Sequence, residues 1–170
     1  MKRTRAVLLS ILAFGATDKV LADPPTTAVA TLTLAVAQVA ATAANAACTR
    51  QGFTTTSTVV DASGAVIAQL RNDGASAASA DVSKGKAVAA AGFKAPTDQL
   101  REAAKTNPGF ANIPNFIILA GGLPISSGAR VVGAIGVAGA PTDDLDKTCA
   151  QAGLDAINVS GGGGGSPIPR

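Results

Sequence analysis

Between Thr31 and Thr49 the apolar positions Leu32, Val36, Val39, Ala43 and Ala46 recur at intervals of three and four, which places them on one face of a helix stopped near Gly52. From Phe53 to Asp61 the pattern changes to a run of β-branched residues. Asp61-Ala62-Ser63-Gly64 is a turn, and Ala65 to Arg71 is apolar again, so the pair predicts a β-hairpin. After a second turn at Asn72-Asp73-Gly74, a helix is expected from Ser79 to Ala91, with Gly85 as an unfavourable interior residue. Thr97, following Pro96, is expected to cap a short helix over Asp98 to Lys105, which Thr106-Asn107-Pro108-Gly109 ends. Phe116 to Leu119, Leu123 to Ser126 and Arg130 to Val137 are read as strands. Thr142 then caps a last helix reaching Ile157, with Asp143 and Asp144 in its first turn.

The order helix, hairpin, two helices, three strands, helix contains no repeated βαβ unit. It predicts an α+β sandwich with an antiparallel sheet covered by helices, and it excludes a dinucleotide-binding topology. The chain contains neither Trp nor Tyr, so the core must be built from Ala, Val, Leu and Ile, with Phe53, Phe93, Phe110 and Phe116 as the large anchors.

Composition sharpens this in two ways. The absence of His removes imidazole bases, His-ligated zinc and Ser-His-Asp chemistry from consideration. The net charge of +3 is concentrated at the start of the chain, where Lys2, Arg3 and Arg5 precede the apolar run Ala6 to Phe14, and Val20-Leu21-Ala22 offers small residues for cleavage. Residues 1–22 therefore read as a secretory signal, 23–30 as a leader, 31–158 as the domain and 159–170 as a Gly-rich tail. Removing the signal takes four of 14 cations (Lys2, Arg3, Arg5, Lys19) and one of 11 carboxylates (Asp18), leaving ten of each. A neutral mature chain argues against nucleic acid as a partner. The Ala-rich run from Thr33 to Cys48 carries Gln38, Thr42 and Asn45, so no membrane insertion is expected once the signal is removed. The expected location is the periplasm or the outside of the cell. In such an oxidising compartment Cys48 and Cys149 are expected to form a disulfide, two buried free thiols being the competing reading.

Several short motifs occur in one order: Val59-Val60-Asp61-Ala62-Ser63-Gly64, Leu70-Arg71-Asn72-Asp73-Gly74-Ala75, Lys86-Ala87, Pro96-Thr97, Gly121-Gly122-Leu123-Pro124-Ile125, Val132-Gly133-Ala134-Ile135-Gly136-Val137, then Asp146, Cys149 and Gly153-Leu154. Together, from Thr31 to Ile157, they resemble the GlcG/HbpS-like (DUF336) family. The resemblance implies a profilin-like layered sandwich with a five-stranded antiparallel sheet, homo-oligomeric assembly, and either haem binding or a part in haem degradation and redox sensing. It places Arg71, Asp73, Lys86, Gly121 and Gly122 around a ligand site, unless Arg71 and Asp73 simply pair with each other. If haem is the cofactor, the axial donors that remain are Cys48, Cys149, Met1, lysines and hydroxyls, and Arg71, Lys84, Lys86 or Arg130 would pair with the propionates.

On this reading the protein is an exported binding or sensor module for a small ligand. The alternatives are a structural oligomeric accessory protein and an enzyme of haem degradation. No catalytic or metal-binding set stands out. Ser83-Lys84-Gly85-Lys86 has the spacing of a lysine-activated serine but lacks the companion motifs, and capping accounts for Asp143 and Asp144 without a metal. The export reading predicts that protein recovered from the periplasm has lost residues 1–22 by intact mass. A cytosolic product retaining its N-terminus would overturn it.

Overall fold

The structure, a computed structural model, describes residues 30–160. The expected signal (1–22), nearly all of the leader (23–29) and the Gly run of the tail (161–170) lie outside the described residues.

Helix α1 (Leu34–Thr49) begins at Thr33, whose hydroxyl accepts the Val36 N–H. The hairpin β1 (Thr56–Asp61) and β2 (Val66–Arg71) turns at Asp61, whose Oδ1 accepts the N–H groups of Ser63 and Ala65. Helices α2 (Ala77–Phe93) and α3 (Thr97–Ala104), a 3₁₀ turn (Pro108–Asn112), strands β3 (Gly122–Ser127) and β4 (Arg130–Ala138), and helix α4 (Asp143–Ser160) complete the chain. All strand pairs are antiparallel, in the order β2-β1-β4-β3. Helices α1 and α4 cover one face with Val59, Ile135 and Val137, while α2 covers the other over Val60 and Ala134.

The sheet has four strands, not the expected five. Phe116 to Leu119 does not join it, because Ile117 donates its N–H to Gly85 O of α2 rather than to a strand. Its side chains fill notches left by glycines: a Cβ on Gly85 would lie 2.7 Å from Ile117 Cγ1, and one on Gly92 would lie 3.1 Å from Phe116 Cζ. The interior glycine that weakened α2 on propensity grounds is thus the seat of this covering segment. Phe93 meets Phe110 and Phe116 edge-on, with centroids 5.1 and 5.6 Å away. These rings are half-buried, so three of the four expected anchors lie on the outer side of α2 and not in the core.

The buried face of α1 agrees with the expected one at Leu32 and Val36, which lie in or against the core, and departs from it further along the helix. Ala37, Ala40, Ala41, Ala44, Ala47 and Cys48 are buried, whereas Leu34 and Val39 are 55% and 43% exposed. The reason is that α1 packs backbone-close on α4, where a Cβ on Gly153 would lie 2.6 Å from Ala40 O and 3.2 Å from Ala44 Cβ. Only alanine-sized side chains fit such a seam. Cys48 and Cys149 bridge these antiparallel helices with Cα atoms 5.6 Å apart, and a crosslink closing a loop this long contributes about 4–5 kcal/mol in the chain-entropy account.

Helix α2 lies equally close to the sheet. A Cβ on Gly136 would lie 2.6 Å from Ala87 N and closer still to Ser83 O. Hydroxyl pairs set the register along β1: Thr56 with Ser79 at 2.6 Å and Thr58 with Ser83 at 2.7 Å. On the opposite face Asn45 Oδ1 accepts from Ser57 and Thr55. Every one of these strand hydroxyls is fully buried and partnered, as burial requires.

Because the obstructing atoms at Gly136 are backbone, Gly136→Ala is expected to destabilise by about 3 kcal/mol. Gly85→Ala meets only the flexible Ile117 side chain and gains helix propensity, so its loss should be smaller. Urea unfolding of the two variants checks the order, and equal losses would refute it.

Candidate functional site

Of the residues expected around a ligand, the structure brings three together. Lys86, on α2, is 1% exposed and reaches the end of the sheet, where Nζ donates to Asp146 Oδ2 at 2.7 Å and to Val137 O at 3.0 Å. Asp146, in the first turn of α4, also accepts the Ala140 N–H at 3.0 Å. The absence of side chains at Gly121 and Gly122 makes room. A Cβ on Gly121 would lie 2.8 Å from Asp146 Cβ and 3.1 Å from Lys86 Nζ, and one on Gly122 would lie 2.5 Å from Thr97 Cγ2. Gly121 also has φ +115, a conformation open to glycine.

The same loop is held from two further sides. Asp143 Oδ2 accepts the Ala120 N–H and pairs with Arg101. Thr97 is not the cap of α3, since Pro96 occupies that position. Its hydroxyl instead donates to Leu119 O at 2.6 Å and accepts the Gly122 N–H at 2.9 Å, so its polar atom serves the loop and not its own helix.

Electrostatics separate the two aspartates. Burial pushes the Asp146 carboxyl above its ordinary value, with the Lys86 ammonium and the Ala140 N–H pulling the other way. Asp143 feels burial too, yet the Ala120 N–H and the Arg101 guanidinium hold it below the ordinary range. With their oxygens engaged in this way, the aspartates of α4 act as anchors, and among the described residues no group of His, Cys, Asp or Glu forms a metal cage. The Ser83–Lys86 spacing produces no dyad, because Ser83 pairs with Thr58 and Lys86 with Asp146. Lys86 and Asp146 are buried and bonded to each other, so the cluster has the form of a clamp.

Arg71 and Asp73 lie apart from the clamp. Arg71 pairs with Thr56 across the hairpin, and Thr56 pairs with Ala138, so Arg71 and the clamp share one end of the sheet. Arg71 lies on the β2 edge, however, two strand spacings or about 10 Å from β4, whose end Lys86 reaches. Arg71 Nη1 donates to Ala75 O at 2.6 Å and not to Asp73.

An open cleft of about 810 Å³ lies at the other end of the sheet, lined by Ala30, Lys94, Ser127, Ala129, Arg130, Val131 and Val132. Lys94 sits there because α2 ends at it in a left-handed conformation (φ 54), and Arg130 because it opens β4. Val132 is a fully buried floor, whereas Lys94 and Arg130 are exposed. The arrangement is two exposed cations and a hydroxyl around an apolar base, in a groove open to solvent. Arg130 was expected as a carboxylate partner, but Lys94 and Ser127 were not, since no local pattern reveals that the end of α2 meets the β3–β4 turn.

Comparison with known proteins gives a consistent picture. The family model described as haem degrading protein HbpS-like matches residues 32–155. A double mutant of HbpS from Streptomyces reticuli is 35% identical, with 88% of this chain and 97% of that one covered and a TM-score of 0.75. The protein ORFY of Klebsiella pneumoniae is 31% identical over 79% of this chain and 96% of its own, with a TM-score of 0.74. An uncharacterised 15.0 kDa protein of Citrobacter freundii is 30% identical over 135 residues, or 76% of this chain and 94% of its own.

Lys86→Met would leave the Asp146 carboxyl buried without its ammonium, raising its pKa further. A carboxyl with a raised folded-state pKa adds stability that is fully present below the unfolded value and lost as pH climbs through the folded one. The variant is therefore expected to lose about 3–5 kcal/mol near neutral pH and to recover part of that relative to wild type at about pH 4. Urea unfolding at both pH values checks this, with Lys86→Met/Asp146→Leu expected to regain more than half. A deficit independent of pH would refute the assignment.

Proposed function

The chain belongs to the HbpS-like family, and from that premise we propose that it is an exported module that binds a small, flat, amphipathic anion of the haem type without transforming it. The observation that carries this reading is the family match across residues 32–155 together with a cleft whose lining is cationic at the rim and apolar at the base. Lys94 and Arg130 would take the ligand's carboxylates, and Val131 and Val132 its apolar face. Binding is favoured over catalysis because Lys86, the buried lysine among the described residues, and Ser83, the serine spaced for activation, are both engaged by structural partners. Self-association belongs to the same reading, since α1 turns Leu34 and Val39 to solvent.

The donor set does not suit an iron-ligating haem pocket. The sequence contains no His and no Tyr, its single Met is Met1, and both cysteines are consumed in the disulfide. What the cleft offers is recognition of a ligand's periphery.

Titrating the purified protein with hemin is expected to shift the Soret band and to saturate at a simple stoichiometry. No saturable shift would overturn the reading and leave an oligomeric accessory protein in its place.

A further inference from the structure

If the cleft binds a tetrapyrrole as proposed above, the chemistry of its lining dictates what it can distinguish. Haem proteins that select for iron do so through an axial side chain, commonly His, Cys, Met or Tyr. Among the described residues none of these is available: Cys48 and Cys149 are fully buried and bonded to each other, and His and Tyr are absent from the whole sequence. Lys86 holds Asp146 at the opposite end of the sheet, five residues along β3 from Ser127 or about 16 Å. Among the described residues around the cleft, the polar side chains are Lys94, Ser127 and Arg130. Arg stays protonated and cannot donate to a metal, a lysine must first lose its proton, and a neutral serine hydroxyl is a weak ligand.

We propose that this site reads the carboxylates and the apolar plane of a tetrapyrrole and is indifferent to the metal at its centre, so that metal-free and zinc-containing dicarboxylic porphyrins are bound as readily as ferric haem. The ligand class is thus the porphyrin dicarboxylates as a whole. Selectivity comes from two cations at the rim, whose attraction for carboxylates is the same whatever the ring holds.

The test is a parallel titration of the full-length protein with protoporphyrin IX and zinc protoporphyrin, read by porphyrin fluorescence, and with hemin, read by the Soret band. Dissociation constants within about threefold of one another are expected, with a ferric spectrum lacking the signature of a strong-field axial ligand. Hemin binding ten times or more tighter than the metal-free ring would overturn the proposal while leaving haem binding intact. Binding of none of the three would overturn haem-type binding itself, and this inference with it. Lys94→Ala and Arg130→Ala, both exposed positions, are expected to weaken all three porphyrins alike, by about tenfold when combined. A loss confined to hemin in Lys94→Ala would identify the lysine as an iron ligand and refute the proposal, and unchanged affinities in the double variant would refute the cleft as the site. Unfolding midpoints of the variants separate lost binding from lost folding.

Discussion

Close backbone contact between layers is the constraint on which the rest of this structure depends. At Gly136 the sheet meets the backbone of α2, and at Gly153 helix α4 meets the backbone of α1. Both seams require side chains of alanine size or smaller from the opposing element, which is why α1 and α2 are lined by buried alanines and serines. Small side chains bury little apolar area each, and burial contributes only about 25 cal/mol per Å², so close packing, the Cys48–Cys149 crosslink and the satisfied hydroxyl pairs must together offset the entropy of ordering the chain. The large side chains are displaced by the same geometry. Phe93, Phe110 and Phe116 gather on the outer side of α2, where no second layer limits their size.

The clamp follows from these seams. With α2 flush against β4, the Lys86 side chain lies close enough to the sheet end to meet Asp146 of α4, which packs on the other face; its Nζ lies beside the space that Gly121 leaves empty, while Gly122 admits the Lys86 backbone and Thr97. A buried ion pair contributes little net stability, because desolvation offsets most of its attraction. Its geometric value is greater: it fixes the helices of both layers and the Ala120–Gly122 loop relative to one another. Removing a single charge would leave the other buried without a partner, so the pair persists as a unit.

Much of the fold is legible in the sequence, and the misreadings share one cause. The hairpin, the four helices, the β3–β4 pair and the disulfide follow from turn residues, periodicity and cysteine arithmetic. The face of α1 does not, because the usual assumption that the largest apolar residues point inward fails where a glycine on the partner helix demands alanine. Gly153 carried that information, but only the knowledge that it faces Ala40 makes it readable. The extra strand at Phe116 to Leu119 failed in the same manner: an apolar run between breakers fits a strand or a covering segment equally well, and the notches at Gly85 and Gly92 that decide the matter lie more than twenty residues away. Thr97 has the composition of a cap, yet its hydroxyl is claimed by a loop distant in sequence.

The candidate site was less legible than the fold for a related reason. Lys86, Gly121 and Gly122 stand out in the sequence because their motifs are distinctive, and the structure shows what makes them so, which is the demand of a closed clamp on exact residue types. The open cleft makes weaker demands. Two cations at the rim serve equally well from many positions, and Lys94 and Arg130 lie in no motif, being brought together by the end of one helix and the start of one strand. Distinctive motifs in this chain therefore trace the places where backbone meets backbone, while the cations at the rim of the cleft lie outside them. Among the described residues the cleft shares only Val132 with the packed core, so the exposed cations at its rim can change without disturbing the contacts that hold the layers together.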